Sequence, residues 1–217
     1  MRKWLTVICA GFSLLMACAE TSDTPEPHQQ EKIVQQIQEW RMQKDRFFKE
    51  SESSPLLPED RQKFQGLDYF PIDLAYRFEG PIVRYPSLEI DTIIATGGDV
   101  RPALRYGYFE FLFNGKRFRL QIYKFFSRDP EAARHLFLGF TDETNGRETY
   151  GGGRYIDLKE NPENHYVVDF NLAYNPFCAY NPDYSCALPP AENHLPFPVR
   201  AGEKRFKDHE GFSKSID

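Results

Sequence analysis

The chain has 217 residues, with 27 Lys and Arg against 32 Asp and Glu, a formal charge of −5 at pH 7. That length suits one domain with a sizeable core. The acidic balance excludes the general attraction for nucleic acid or anionic headgroups that a basic chain carries, and after Met16 no apolar run approaches the roughly 20 residues needed to cross a bilayer.

In chain order, Arg2 and Lys3 precede an apolar run from Trp4 to Met16, and Leu15-Met16-Ala17 leads into Cys18. A positive segment, an apolar stretch too short to span and a small residue before the cut read as an export signal over residues 1–17. A cysteine directly after Leu-x-Ala makes it a bacterial lipoprotein signal, cleaved to leave acylated Cys18 as the new N-terminus. The expected partner is the membrane, reached through palmitate-type chains on Cys18, since several chains hold firmly where one binds reversibly. Ala19 rather than an aspartate follows, which favours the outer membrane facing the periplasm in a Gram-negative host. Loss of Arg2 and Lys3 leaves 25 basic against 32 acidic residues, a mature charge of −7.

Residues 18–30 lack large apolar side chains and are expected to form a flexible tether. The remaining residues, 31–217, are expected to form one β-rich domain. Its first element is an amphipathic helix from about Glu31 to Ser51, because Ile33, Ile37, Trp40, Lys44 and Phe47 recur at helical spacing. Ser53-Ser54-Pro55 and Leu57-Pro58 then read as a linker. Ile72, Leu74, Tyr76 and Phe78 alternate with Asp73, Ala75 and Arg77 and predict a half-buried strand. Ile90–Thr96 predicts another, stopped by Gly97-Gly98.

Two apolar-rich runs between Tyr106 and Phe126 are joined by Asn114-Gly115, the strongest short hairpin signal. That turn sets a register. Phe113 faces Lys116, Phe111 faces Phe118, Phe109 faces Leu120 and Gly107 faces Ile122 on the core side. On the other side Leu112 faces Arg117, Glu110 faces Arg119, Tyr108 faces Gln121 and Tyr106 faces Tyr123. Further strands are expected at Leu136–Phe140, Arg154–Leu158 and Tyr166–Phe170, with weak regularity at Val199–Phe206. The fold class is mainly β, a single β-sandwich or partly open β-barrel preceded by one amphipathic helix.

Cys9 leaves with the leader and Cys18 carries lipid, so Cys178 and Cys186 meet an oxidising compartment and are expected to pair. A disulfide closing a loop of about nine residues would contribute roughly 2.5 kcal/mol. Around them Ala-Tyr-Asn-Pro occurs twice, at 173–176 and 179–182, and proline holds each preceding asparagine extended. Either a stapled structural loop or a ligand-presenting loop fits this pattern. For the second, the candidate ligand-binding groups are Arg154, Asp157, Asp169, Asn171, Tyr174, Asn175, Tyr180, Glu192 and Asn193, gathered in one polar concavity. Arg105, Arg117, Arg119, Tyr106, Tyr108 and Tyr123 mark the polar hairpin face, either a solvated surface or a binding one. A metal or thiol alternative would use Cys178, Cys186, Glu192 and His194 around zinc, although the spacing is unlike the close ligand pairs of familiar sites. No cofactor is otherwise expected, and no nucleophile elbow, His-Glu-x-x-His or phosphate loop occurs.

Several of these segments also carry a resemblance. They are Ser54-Pro55-Leu56, Glu148-Thr149-Tyr150-Gly151-Gly152-Gly153-Arg154-Tyr155-Ile156-Asp157-Leu158, Asp169-Phe170-Asn171 through Asn175-Pro176 and Cys178, then Cys186, Leu188-Pro189-Pro190, Glu192-Asn193 and Ala201-Gly202-Glu203-Lys204. Over about Trp40 to Phe206 the chain resembles the uncharacterised prokaryotic family catalogued as domain of unknown function 1684. The resemblance implies no reaction. Members without an export signal that keep both cysteines give weight to a thiol or metal role. The expectation is a lipid-anchored envelope protein with a small-ligand-binding or structural role, the alternative a metal- or thiol-dependent enzyme.

Overall fold

A computed structural model describes residues 26–207. The leader, Cys18 and the tether through residue 25 lie outside the described residues. Helix α1 (Pro27–Glu50) buries Ile33, Ile37 and Phe48 along one stripe. It starts within the segment expected to be tether, because a proline suits a first helical turn: its missing N–H would have no helical partner there and its φ is already helical. The linker contains a second short helix, α2 (Pro58–Lys63), which also opens on proline and has Glu59 and Asp60 in its first turn, where carboxylates meet the positive end of the helix dipole.

The strand expected over 72–78 is mostly absent. The Asp73 carboxylate accepts the Ala75 N–H at 2.9 Å and caps a 3₁₀ turn over Leu74–Tyr76. Such local side-chain bonds compete with a ladder, so strand β1 is confined to Arg77–Gly80. It pairs antiparallel with β7 (Tyr166–Asp169) in a two-stranded sheet.

The main sheet runs β2 (Ile82–Ile94), β3 (Val100–Phe113), β4 (Lys116–Phe125), β5 (His135–Asp142) and β6 (Arg154–Lys159) in sequence order, and β8 (His194–Leu195) lies parallel to the end of β5. It stays open and does not close into a barrel. One face carries the core: Phe109, Phe111, Leu120 and Ile122 from the hairpin meet Leu138, Phe140 and Ile156, together with Val168 of the second sheet and Phe170 of the 3₁₀ turn after it. Burial of each such side chain contributes about 1.5–3 kcal/mol. Among the described residues no helix is long and apolar enough to cross a membrane.

The turn at Asn114 and Gly115 has φ of 49° and 71°, positive at both positions as a two-residue hairpin with strand-matched twist requires. Seven of the expected pairs, from Phe113↔Lys116 to Gly107↔Ile122, are present. The eighth is not. A register shift makes Tyr106 an extra residue, and Arg105 rather than Tyr106 stands opposite Tyr123. On the other side of β3 the register with β2 also breaks, between Arg84 and Glu89. The segment 199–206 forms no strand; Glu203 makes an isolated bridge with Tyr69, and the carbonyls of Val199 and Ala201 accept from Arg154 of β6.

Candidate functional site

The bulge at Tyr106 decides which side chains reach the outer face of the sheet. With unbroken alternation Tyr106 would share a face with Tyr108, and Arg105 would turn to the core. The extra residue reverses this. Tyr106 is buried at 3% exposure among the core residues, and Arg105 comes to the outer face beside Tyr123. Bulges commonly re-aim side chains in this way.

There Arg105 Nη2 donates to Glu192 Oε2 at 2.7 Å and Nη1 to the Tyr123 hydroxyl at 3.2 Å, with Asp91 Oδ2 at 3.7 Å. The Tyr123 hydroxyl is 3.0 Å from Glu192 Oε1 and 3.2 Å from Asp91 Oδ2. The Glu192 hydrogen bond raises the Arg105 pKa, while burial, followed by Glu192, pushes the Tyr123 phenol up, so both keep their protons. Alongside, Tyr85 donates to Gln121 Oε1 at 2.5 Å and packs on Tyr108 at 5.9 Å. Arg119 lies 4.6 Å over the Tyr108 ring, and Glu110 accepts from both Arg119 and Arg117. Three guanidinium groups thus face three carboxylates, an exposed polar surface with no net charge.

Most of the nine residues expected to bind a ligand are instead buried and internally bonded. Arg154, fully buried, donates to Asp142 Oδ2 at 2.9 Å and to the carbonyls of Val199 and Ala201 at 2.8 and 2.5 Å. Asn171 bonds both backbone groups of Asp73, at 2.9 and 2.8 Å, and donates to Asp169. Burial raises the Asp169 pKa, opposed by those Asn171 bonds and by Arg77. Asn175 donates its amide to the Lys204 carbonyl and its N–H to Glu203. Tyr180 donates to Glu203 at 2.6 Å and Tyr174 to Asp157 at 2.6 Å. Glu203 also receives Lys44 Nζ at 2.6 Å, whose ammonium lies 4.5 Å over the Tyr174 ring; burial lowers the Lys44 pKa against this carboxylate's pull. These groups do not form the single concavity the sequence suggests.

Asn193 has a different structural task. Strands β4 and β5 pair at Tyr123↔Phe137. Two residues further along each strand, Gln121 and Gly139 are bridged by the Asn193 side chain: Oδ1 accepts the Gln121 N–H at 2.6 Å, and Nδ2 donates to the carbonyls of Gln121 and Gly139 at 2.9 and 2.7 Å. An amide carries donor and acceptor as a peptide does and completes the ladder. Its neighbour Glu192 is thereby fixed against Arg105. Of the nine candidates, Glu192 alone belongs to the charge-balanced face. Sequence reasoning missed Asp91 and Tyr85, whose strand β2 has no local register signal.

Cys178 and Cys186 are both free thiols, not the expected disulfide. They are nonetheless adjacent, with the Cys178 N–H donating to Cys186 Sγ at 3.2 Å. The zinc alternative is not assembled. His194 Nδ1 contacts Thr141 Oγ1 at 3.1 Å, Glu192 is held by Arg105, and among the described residues no three His, Cys, Asp or Glu side chains are grouped to hold a metal ion.

The sequence profile of the family described as "Protein of unknown function (DUF1684)" matches residues 62–204. Among solved structures, the solution NMR structure of an uncharacterised protein from Haloarcula marismortui is similar, with 36% sequence identity and a TM-score of 0.65 over 85% of this chain and 100% of that one. No curated protein matches.

Proposed function

The chain belongs to the DUF1684 family, and from that premise we propose that it is a binding module of the cell envelope. Acyl chains on Cys18 hold it to the membrane, and the outer face of β2–β4 takes a neutral, hydroxyl-rich ligand of the saccharide class. One observation carries this reading: the bulge that turns Arg105 outward into a cluster with Tyr123, Glu192 and Asp91. Sugar hydroxyls need donors and acceptors side by side, with flat apolar faces for the ring. Arg105, Gln121, Glu192 and Asp91 supply the first, and Tyr85 and Tyr108 supply the second. Because Arg105, Arg117 and Arg119 are balanced by Asp91, Glu110 and Glu192, the surface offers no field to select an ion.

Two experiments test the two halves of the proposal. Calorimetric titration of the detergent-extracted protein with N-acetylglucosamine oligomers should show binding that Arg105→Ala and Tyr85→Ala each weaken by at least about tenfold, a loss of about 1.4 kcal/mol. Unchanged affinity in both variants, or no binding, rejects this face as the site. For the anchor, labelled palmitate should enter the wild-type protein and not Cys18→Ser, which should leave the membrane fraction. A soluble, unlabelled wild-type product would refute the anchor.

A further inference from the structure

We propose that Cys178 and Cys186 form a thiol–disulfide exchange site that a small-molecule disulfide of the oxidised-glutathione class closes reversibly in the folded protein. The inference is independent of the saccharide reading. The two side chains already share one environment. Cys178 donates its N–H to Cys186 Sγ at 3.2 Å, which sets the two side chains next to each other. The Tyr150 hydroxyl donates to Cys178 Sγ at 3.6 Å, a long but ordinary distance for sulfur. Cys186 is tied to the turn that follows β2 in both directions, its N–H donating to Thr96 Oγ1 at 3.0 Å and its carbonyl accepting the Thr96 N–H at 2.8 Å. Backbone and hydroxyl partners thus hold both sulfurs in place before any bond forms.

Exposure divides the roles. Cys178 is buried at 9% exposure, while Cys186 is half-buried and can meet a reagent. The hydrogen bond from Cys186, against the opposing effect of burial, holds the Cys178 thiol down at about 6, and the same bond pushes Cys186 up. Donors around a sulfur that favour its thiolate distinguish a reactive cysteine from an inert one. In the first step Cys186 passes its proton to the neighbouring Cys178 thiolate as its sulfur attacks one sulfur of the glutathione disulfide; Cys178 then releases that proton to water and is a thiolate again. The reagent's S–S bond breaks and one glutathione leaves as thiolate. Cys178 thiolate then attacks the Cys186 sulfur of the mixed disulfide and expels the second glutathione. Two protein thiols are oxidised by two electrons, one reagent disulfide is reduced to two thiols, and the released protons end on them.

The test is peptide mapping of the dithiothreitol-reduced, folded protein after incubation with oxidised glutathione and alkylation. The expected result is a single peptide pair linked through 178 and 186, with neither thiol alkylated, returning to two alkylated cysteines on reduction. Cys178→Ser lacks the resolving sulfur and should accumulate glutathione on Cys186. Two sulfurs that stay free in the folded protein, or a link that forms only in urea, would overturn the proposal. If Cys178→Ser does not fold, the wild-type map decides alone.

Discussion

Asn171, Asn193 and Arg154 do with side chains what peptide groups do elsewhere. Each binds backbone far away in sequence: Asn171 reaches Asp73, Asn193 reaches Gln121 and Gly139, and Arg154 reaches Val199 and Ala201. A buried backbone group without a partner costs about 1–3 kcal/mol, so the long connections between the strands need such side chains. Their types were visible in the sequence as a polar cluster. Their targets were not, because nothing local says that Asn171 will meet Asp73. Hence Arg154, Asn171 and Asn193, which looked like ligand groups, bond the fold to itself. Arg154→Met should cost about 3–5 kcal/mol in urea unfolding, since it strands the buried Asp142 carboxylate; a loss below about 1 kcal/mol would contradict that role. Glu110 gives a pH test. Arg119 and Arg117 hold its carboxyl below the ordinary range, so its stabilisation is complete above the unfolded value of about 4.3 and fades as pH falls through the lower folded value. Wild type should melt above Glu110→Gln at neutral pH, and the gap should be smaller at an acid pH below the ordinary carboxylate range. A gap of equal size at both pH values would contradict the sign.

The β3–β4 hairpin was the most legible element because its determinants are local: Asn114-Gly115 fixes the turn, and alternation fixes the faces. The bulge at Tyr106 was illegible for the opposite reason. It is tied to β2, where Tyr85 to Leu88 lie between the two paired registers with β3, and no residue in β3 announces that partner's shape. The same limit hid Tyr85 and Asp91. Helix α1 was read correctly in period and missed at its start, where Pro27 serves as a first-turn residue rather than a tether residue. Asn193 joins β4 to β5, and its removal tests that joint. Asn193→Ala should cost about 2–4 kcal/mol and speed hydrogen exchange at the Gln121 amide. Exchange unchanged there would mean that the strands close on each other directly.

For the whole molecule, burial and exposure separate two kinds of polar chemistry. The polar groups inside hold the sheets, α1 and the C-terminal segment 199–203 together, with Glu203 as the meeting point of Lys44, Tyr180 and Asn175. Lys44 lies before the span 62–204 that the family profile covers, so α1 is fastened to the family core through this carboxylate. The outer face of the main sheet keeps Arg117, Arg119, Asp91 and Glu192 toward solvent, above a buried Tyr123. The most direct test is a chemical-shift titration of the protein in detergent micelles with N-acetylglucosamine oligomers. The account predicts shifts concentrated at Tyr85, Arg105, Tyr108, Gln121, Tyr123 and Glu192, and abolished by Arg105→Ala. Shifts centred instead on Tyr174, Asn175 and Tyr180, or none at saturating ligand, would contradict it.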